Sequence, residues 1–118
     1  MRLREIPARE WPGFLERLGR EHRAWLATVD CNGRVEVREQ PLEAISAEGG
    51  IDTRGIDIRI GARAIHVDKP QAMRVEETPE GATQALEIDD ATGRRLTLRF
   101  RVAVAPGALD GVAPAERS

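Results

Sequence analysis

Residues 55–67, GIDIRIGARAIHV, alternate apolar and polar side chains on both sides of a glycine-led dipeptide, and that pattern decides the fold. Gly61-Ala62 has glycine first, as a type II′ two-residue turn prefers, so the turn sets Ile60 opposite Arg63, Ile58 opposite Ile65 and Ile56 opposite Val67. Successive side chains of a strand point to opposite faces, which sends the isoleucines to a core. Asp57, Arg59, Ala64 and His66 then share the other face, with Asp57 directly across from His66.

The same device recurs on either side. In WLATVDCNGRVEV, residues 25–37, a three-residue loop of Cys31, Asn32 and Gly33 keeps apolar with apolar, pairing Val29 with Val35 and Ala27 with Val37. In QALEIDDATGRRLTLRFRV, residues 84–102, a loop of Ala91, Thr92 and Gly93 pairs Ile88 with Leu96 and Leu86 with Leu98. LEAISAE (42–48) and AMRVEE (72–77) read as further short strands, and Thr78-Pro79-Glu80 as an N-cap followed by proline, opening one helical turn.

Ahead of all these strands, AREWPGFLERLGREH (8–22) places Trp11, Phe14, Leu15 and Leu18 at i, i+3, i+4 and i+7, one face of an amphipathic helix. Pro12 is tolerated there because the first turn leaves its N–H position unpaired anyway. The reading is an α+β domain over residues 1–104: an N-terminal amphipathic helix packed on a bent, mostly antiparallel sheet of six to eight short strands, closing in part into a barrel or roll. Trp25 is expected in the core and Trp11 at the helix–sheet junction. Residues 105–118, small and rich in Pro and Gly, read as a flexible tail.

A chain of 118 residues buries roughly two-thirds of its unfolded surface, enough for one core. Its charges nearly cancel, to a formal −2, so no global field draws nucleic acid or an anionic membrane. The single cysteine, Cys31, excludes an intramolecular disulfide and a multi-cysteine zinc site, which suits the cytoplasm. No apolar run approaches the ~18 residues of a membrane span.

REIPAREWPGFLERLGREHRAWLATV (4–29) and VEETPEGATQALEIDDATGRRLTLRF (75–100) resemble a family of small, uncharacterised bacterial domains of unknown function. The specific parts are Glu-Trp-Pro-x-Phe-Leu, Arg-Glu-His-Arg after the helix, and Glu-Glu-Thr-x-Glu-Gly-Ala leading to Ala-Leu-Glu-Ile. The resemblance implies a bacterial origin and a compact helix-plus-sheet domain, and it assigns no site residue.

Chemistry is therefore sought residue by residue. Asp57 and His66 are the candidate catalytic pair, but their face offers no Ser, Cys or Thr nucleophile, and Arg59 competes for the carboxylate, so the pair reads first as a solvent-exposed cross-strand contact. Cys31 sits in a turn beside Asp30 with no basic partner to activate it. Glu76, Glu77, Glu80 and Glu87 read as a charged connector rather than as paired catalytic acids. Arg95, Thr97, Arg99 and Arg101 form a stripe on the last strand, but Glu87 and Asp89 should lie beside them and no aromatic interleaves to stack bases, so nucleic acid is not expected. His22 and His66, far apart and without ligand neighbours, suggest no metal, and no phosphate-binding glycine loop suggests a cofactor.

Function then reads as a non-enzymatic binding or interaction module, with a homodimer through edge strands as one form of it. The alternative is a small enzyme or ligand-binding protein with a pocket between helix and sheet, where His22, Trp25 and Arg59 are the candidate ligand contacts.

Overall fold

In the computed structural model, which describes residues 2–49 and 53–101, eight antiparallel strands form one sheet with a single α-helix packed on it. The strands are β1 (Arg2–Glu5), β2 (Leu26–Cys31), β3 (Arg34–Glu48), β4 (Gly55–Ile60), β5 (Arg63–Asp68), β6 (Pro70–Glu77), β7 (Thr83–Asp90) and β8 (Arg95–Arg101). A 3₁₀ turn (Ala8–Glu10) leads into the helix, α1 (Trp11–Glu21). The spatial order is β1-β6-β7-β8-β2-β3-β4-β5, so β1 and β5 are the two edges and the sheet is not closed into a barrel. The expected tail, 105–118, lies outside the described residues.

The strands are not all short. The two segments expected as separate strands, around VEV and LEAISAE, merge into the 15-residue β3, whose first half pairs β2 and whose second half pairs β4. The bend between them falls at Glu39, which takes φ 49° and donates its N–H to Thr28 Oγ1 at 3.1 Å. Bulges at the bend let the second half turn over the first, and apolar residues from both halves enter one core.

Two expected registers hold. β4 and β5 pair Ile58 with Ile65, Ile56 with Val67 and Asp57 with His66 around Gly61, the hairpin's positive-φ residue, and β7 and β8 pair Ile88 with Leu96 and Leu86 with Leu98. The first hairpin differs. Asn32 and Gly33, both at positive φ, form a two-residue turn that closes on Cys31 and Arg34, and downstream bulges then bring Val29 to Val37. Apolar pairing is achieved, but by bulges rather than by a longer loop. The expected helical turn at Thr78 is instead a tight hairpin: Gly81 donates to the Thr78 carbonyl at 2.9 Å and Ala82 N–H to Thr78 Oγ1 at 3.1 Å. With β7 ready to pair β6 immediately beyond it, a β-turn leaves no room for helix.

The tryptophans exchange roles. Trp11 is 4% exposed and donates its indole N–H to the Ile6 carbonyl at 2.8 Å, whereas Trp25 is only half-buried. Trp11 opens the buried face of α1, which continues through Phe14, Leu15, Leu18 and Gly19, while Trp25 precedes β2 outside the sheet. At Gly19 a Cβ would stand 3.3 Å from the Ile45 backbone nitrogen, so glycine lets helix and β3 touch closely.

β1 was not foreseen. It pairs β6, where Arg2 and Arg4 meet Glu77 at 3.3 and 3.1 Å; these bonds, Arg4 first, hold the Glu77 carboxyl below its usual range despite burial.

Candidate functional site

Because β5 is an edge strand, only one side of its backbone is paired with another described strand. The two-residue turn makes Ile60–Arg63 the closing hydrogen-bonded pair, so Ile58–Ile65 and Ile56–Val67 are also bonded, and the N–H and C=O groups of Ala64 and His66 point away from β4. They border a cleft of about 290 Å³ formed with the tips of the β2–β3 and β7–β8 hairpins. Its floor is apolar: Val29, Ile65, Val67, Ile88 and Leu96. Helix and cleft lie at opposite ends of β2 and β8, since His22 packs on Phe100 near the Leu26–Arg101 pair and the cleft begins at Cys31 and Leu96.

Charged groups rim this floor. Arg63 donates through one terminal nitrogen to the Glu36 carbonyl at 3.2 Å, and Arg94 donates through Nε to Asp90 at 3.1 Å. Asp90 Oδ1 also accepts the Thr92 hydroxyl (2.7 Å), the Thr92 N–H (2.9 Å) and the Arg94 N–H (3.0 Å). The Thr92 hydroxyl leads in drawing this carboxyl down to about 2, with the Arg94 and Thr92 backbone donors behind it. All four bonds, three on Oδ1 and one on Oδ2, brace the hairpin tip, so Asp90 holds up a wall of the cleft.

The expected acid–imidazole pair is present. Asp57 Oδ1 and His66 Nδ1 are 2.7 Å apart, with both side chains about half exposed. His66 is raised above its ordinary value, first by the hydrogen bond to Asp57 and also by the charges of Asp57, Glu48 and Asp68, against partial desolvation. The ring leans over β4: a Cβ on Gly55 would come within 2.6 Å of His66 Cε1 and 3.1 Å of Nε2. Cys31 lies on the other side of β5, across its free edge. The imidazole leans the other way, over Gly55 of β4, with Nδ1 engaged by Asp57. Arg59, on the same face as Asp57, makes no ion pair with a described residue.

Since His66 is raised on folding, its contribution is fully present below the unfolded value of about 6.5 and is lost as pH rises through the higher folded value. Exposure and solvent screening keep it below about 1 kcal/mol. Replacing His66 with glutamine is expected to change stability by less than about 1 kcal/mol and to flatten this alkaline slope, as read by urea denaturation at pH 6 and pH 8.

His22 and Trp25 do not line the cleft. His22 donates Nδ1–H to the Leu18 carbonyl at 3.0 Å, stacks on Phe100 at 4.7 Å and meets Trp25 edge-on at 4.6 Å. It is a buried histidine that terminates α1 and ties it to β8, a packing role that accounts for its chemistry. The outer face of β6, β7 and β8 is laced by ion pairs: Arg74 with Glu87 and Asp89, Arg95 with Asp89, and Arg99 with Glu76; Arg101 meets Glu39. Thr97, expected on the exposed stripe, is buried between them.

Arg63, Arg94 and Glu36 were not singled out in the sequence, because the cleft exists only where two distant hairpin tips meet an edge strand. One local signal was available, the open side of a hairpin with a known register. Among the described residues no group of three His, Cys, Asp or Glu could hold a metal ion, and no helix is long and apolar enough to cross a membrane. Comparison with protein families, with curated proteins and with solved structures found no match in any of the three.

Proposed function

We propose that this domain is a non-catalytic, cytoplasmic binding module whose recognition surface is the cleft along the free edge of β5. In this reading the bent sheet is a partly open roll, plugged at one end by α1 and left accessible at the other. One observation carries it: backbone groups of Ala64 and His66 with no partner among the described residues border an apolar floor rimmed by Arg63, Arg94, Glu36 and Asp90, a combination of shape, apolar area and a few oriented polar groups typical of binding sites. The pairing of His66 with Asp57 away from the cleft supports binding over catalysis, because no nucleophile, base and electrophile converge.

Cys31 supplies the test, being the only cysteine and part of the cleft lining. A library of small carboxylic acids and short peptides, followed by amide NMR shifts, is expected to perturb residues 63–67 and the facing hairpin tips and to leave the surroundings of His22 and Trp25 unmoved. Alkylating Cys31 with N-ethylmaleimide should abolish these shifts in the wild type and leave them intact in Cys31→Ser exposed to the same reagent. Shifts clustered elsewhere, or unaffected by alkylation, would remove the cleft from consideration.

A further inference from the structure

Resting on that reading, we infer that the occupant of the cleft is an extended peptide segment carrying an acidic side chain, which adds to the sheet as a strand beside β5. Ala64 and His66 present two donors and two acceptors with a two-residue repeat, about 6.8 Å along the strand, which is the spacing an extended backbone answers. No described strand answers it. β2, β7 and β8, whose tips form the other wall, have both of their edges paired, so the roll cannot close on β5 by itself. Alternate side chains of an added strand would face the floor of Ile65, Val67 and Leu96.

Charge selects among peptides. The Arg63 and Arg94 guanidiniums each retain N–H groups with no partner among the described residues, whereas the Asp90 carboxylate is held by four bonds within its own hairpin tip. Glu36 and Asp90 balance the two arginines in formal charge, so what answers an acidic side chain is the pair of guanidinium forks with N–H groups to spare, not a net charge of the rim. A carboxylate accepts two parallel bonds from such a fork. Size selects as well. About 290 Å³ between walls admits a short stretch of extended chain, with the rest of a segment running on along β5. The opposite edge, β1, is four residues long and turns Arg2 and Arg4 toward Glu77, so it offers no comparable site.

The probe is the acetylated, amidated heptapeptide Thr-Val-Thr-Asp-Val-Thr-Val, titrated into the full chain with labelled amides. It should perturb Ala64 and His66 and slow their hydrogen exchange about tenfold or more at saturation. Lysine in place of its aspartate should weaken binding about fivefold or more, with the gap narrowing in high salt. Ala64→Pro removes an N–H that β4 does not use, so the variant should keep its thermal midpoint and lose the peptide. N-methylation of alternate peptide amides gives the same loss without altering the protein. Equal binding of the Asp and Lys peptides, or binding indifferent to both Ala64→Pro and N-methylation, would overturn the inference. So would slow exchange at Ala64 without peptide that disappears on dilution or on removal of residues 102–118, since a second copy or the chain's own end would then fill the cleft. Small carboxylic acids shifting the cleft while the peptide does not would overturn it too and leave the binding reading standing.

Discussion

Truncating Leu15 to alanine is expected to destabilise the domain by about 2–5 kcal/mol, which would lower its thermal midpoint by roughly 10 °C or more. Leu15 is fully buried, and it stands with Trp11, Phe14 and Leu18 on the one helix face that covers the core. The cost combines lost transfer of apolar atoms from water with the void left behind, and the void is hard to collapse here because Gly19 already holds α1 against the Ile45 backbone. Glu16→Ala, on the exposed face, is the control and should stay within about 0.5 kcal/mol. Urea denaturation of both variants checks this; equal losses would mean that α1 is not the lid of the core.

Arg74→Met is the second large change, expected to cost about 1–3 kcal/mol. Arg74 bonds Glu87 at 3.1 Å and Asp89 at 2.8 Å and is itself only 18% exposed, so methionine keeps the stem but leaves two half-buried carboxylates to Arg95 alone. Acid should reveal the same network. Asp89 is held below its usual range by Arg95 first and Arg74 next, Glu77 by Arg4 and Arg2, and Asp90 by Thr92, its carboxyl falling to about 2. Carboxyls depressed on folding contribute stability that is present above their unfolded values of about 4 and is lost as pH falls through the folded ones. Wild-type stability should therefore decline from about pH 4 toward pH 2, and more gently in Arg74→Met, whose Asp89 has lost a partner. Identical acid slopes for the two proteins, measured by urea midpoints at pH 7 and pH 3, would show that Arg74 does not bear on Asp89.

Legibility followed range along the chain. The Asp57–His66 contact was readable because Gly61-Ala62 sets the register within a few residues, and the loop at Ala91–Gly93 did the same for Leu86 and Leu98. The helix face from Trp11 to Leu18 was readable from spacing alone. Reading failed where a neighbour intervened. Asn32-Gly33 turned as its chemistry prefers, and the apolar pairing of Val29 with Val37 came from bulges between β2 and β3 that no local pattern announces. Thr78-Pro79 carries a helix-opening signal, yet β6 and β7 pair on either side of it and make it a turn. Arg2–Glu5 has no strand pattern of its own and becomes a strand because β6 offers it an edge.

By itself, then, the sequence determined the turns at Gly61-Ala62 and Ala91–Gly93, the two local registers they set, the buried helix face and the antiparallel class, because each depends on backbone preferences and side-chain periodicity within one or two elements. Only the tertiary structure decided that β1 lies beside β6, that β3 bends to carry β4 and β5 over the sheet, and that Cys31, Arg63 and Arg94 come to one cleft. Those outcomes rest on contacts between residues tens of positions apart, where the gain is burial shared by the whole core and no local pattern records which partners share it.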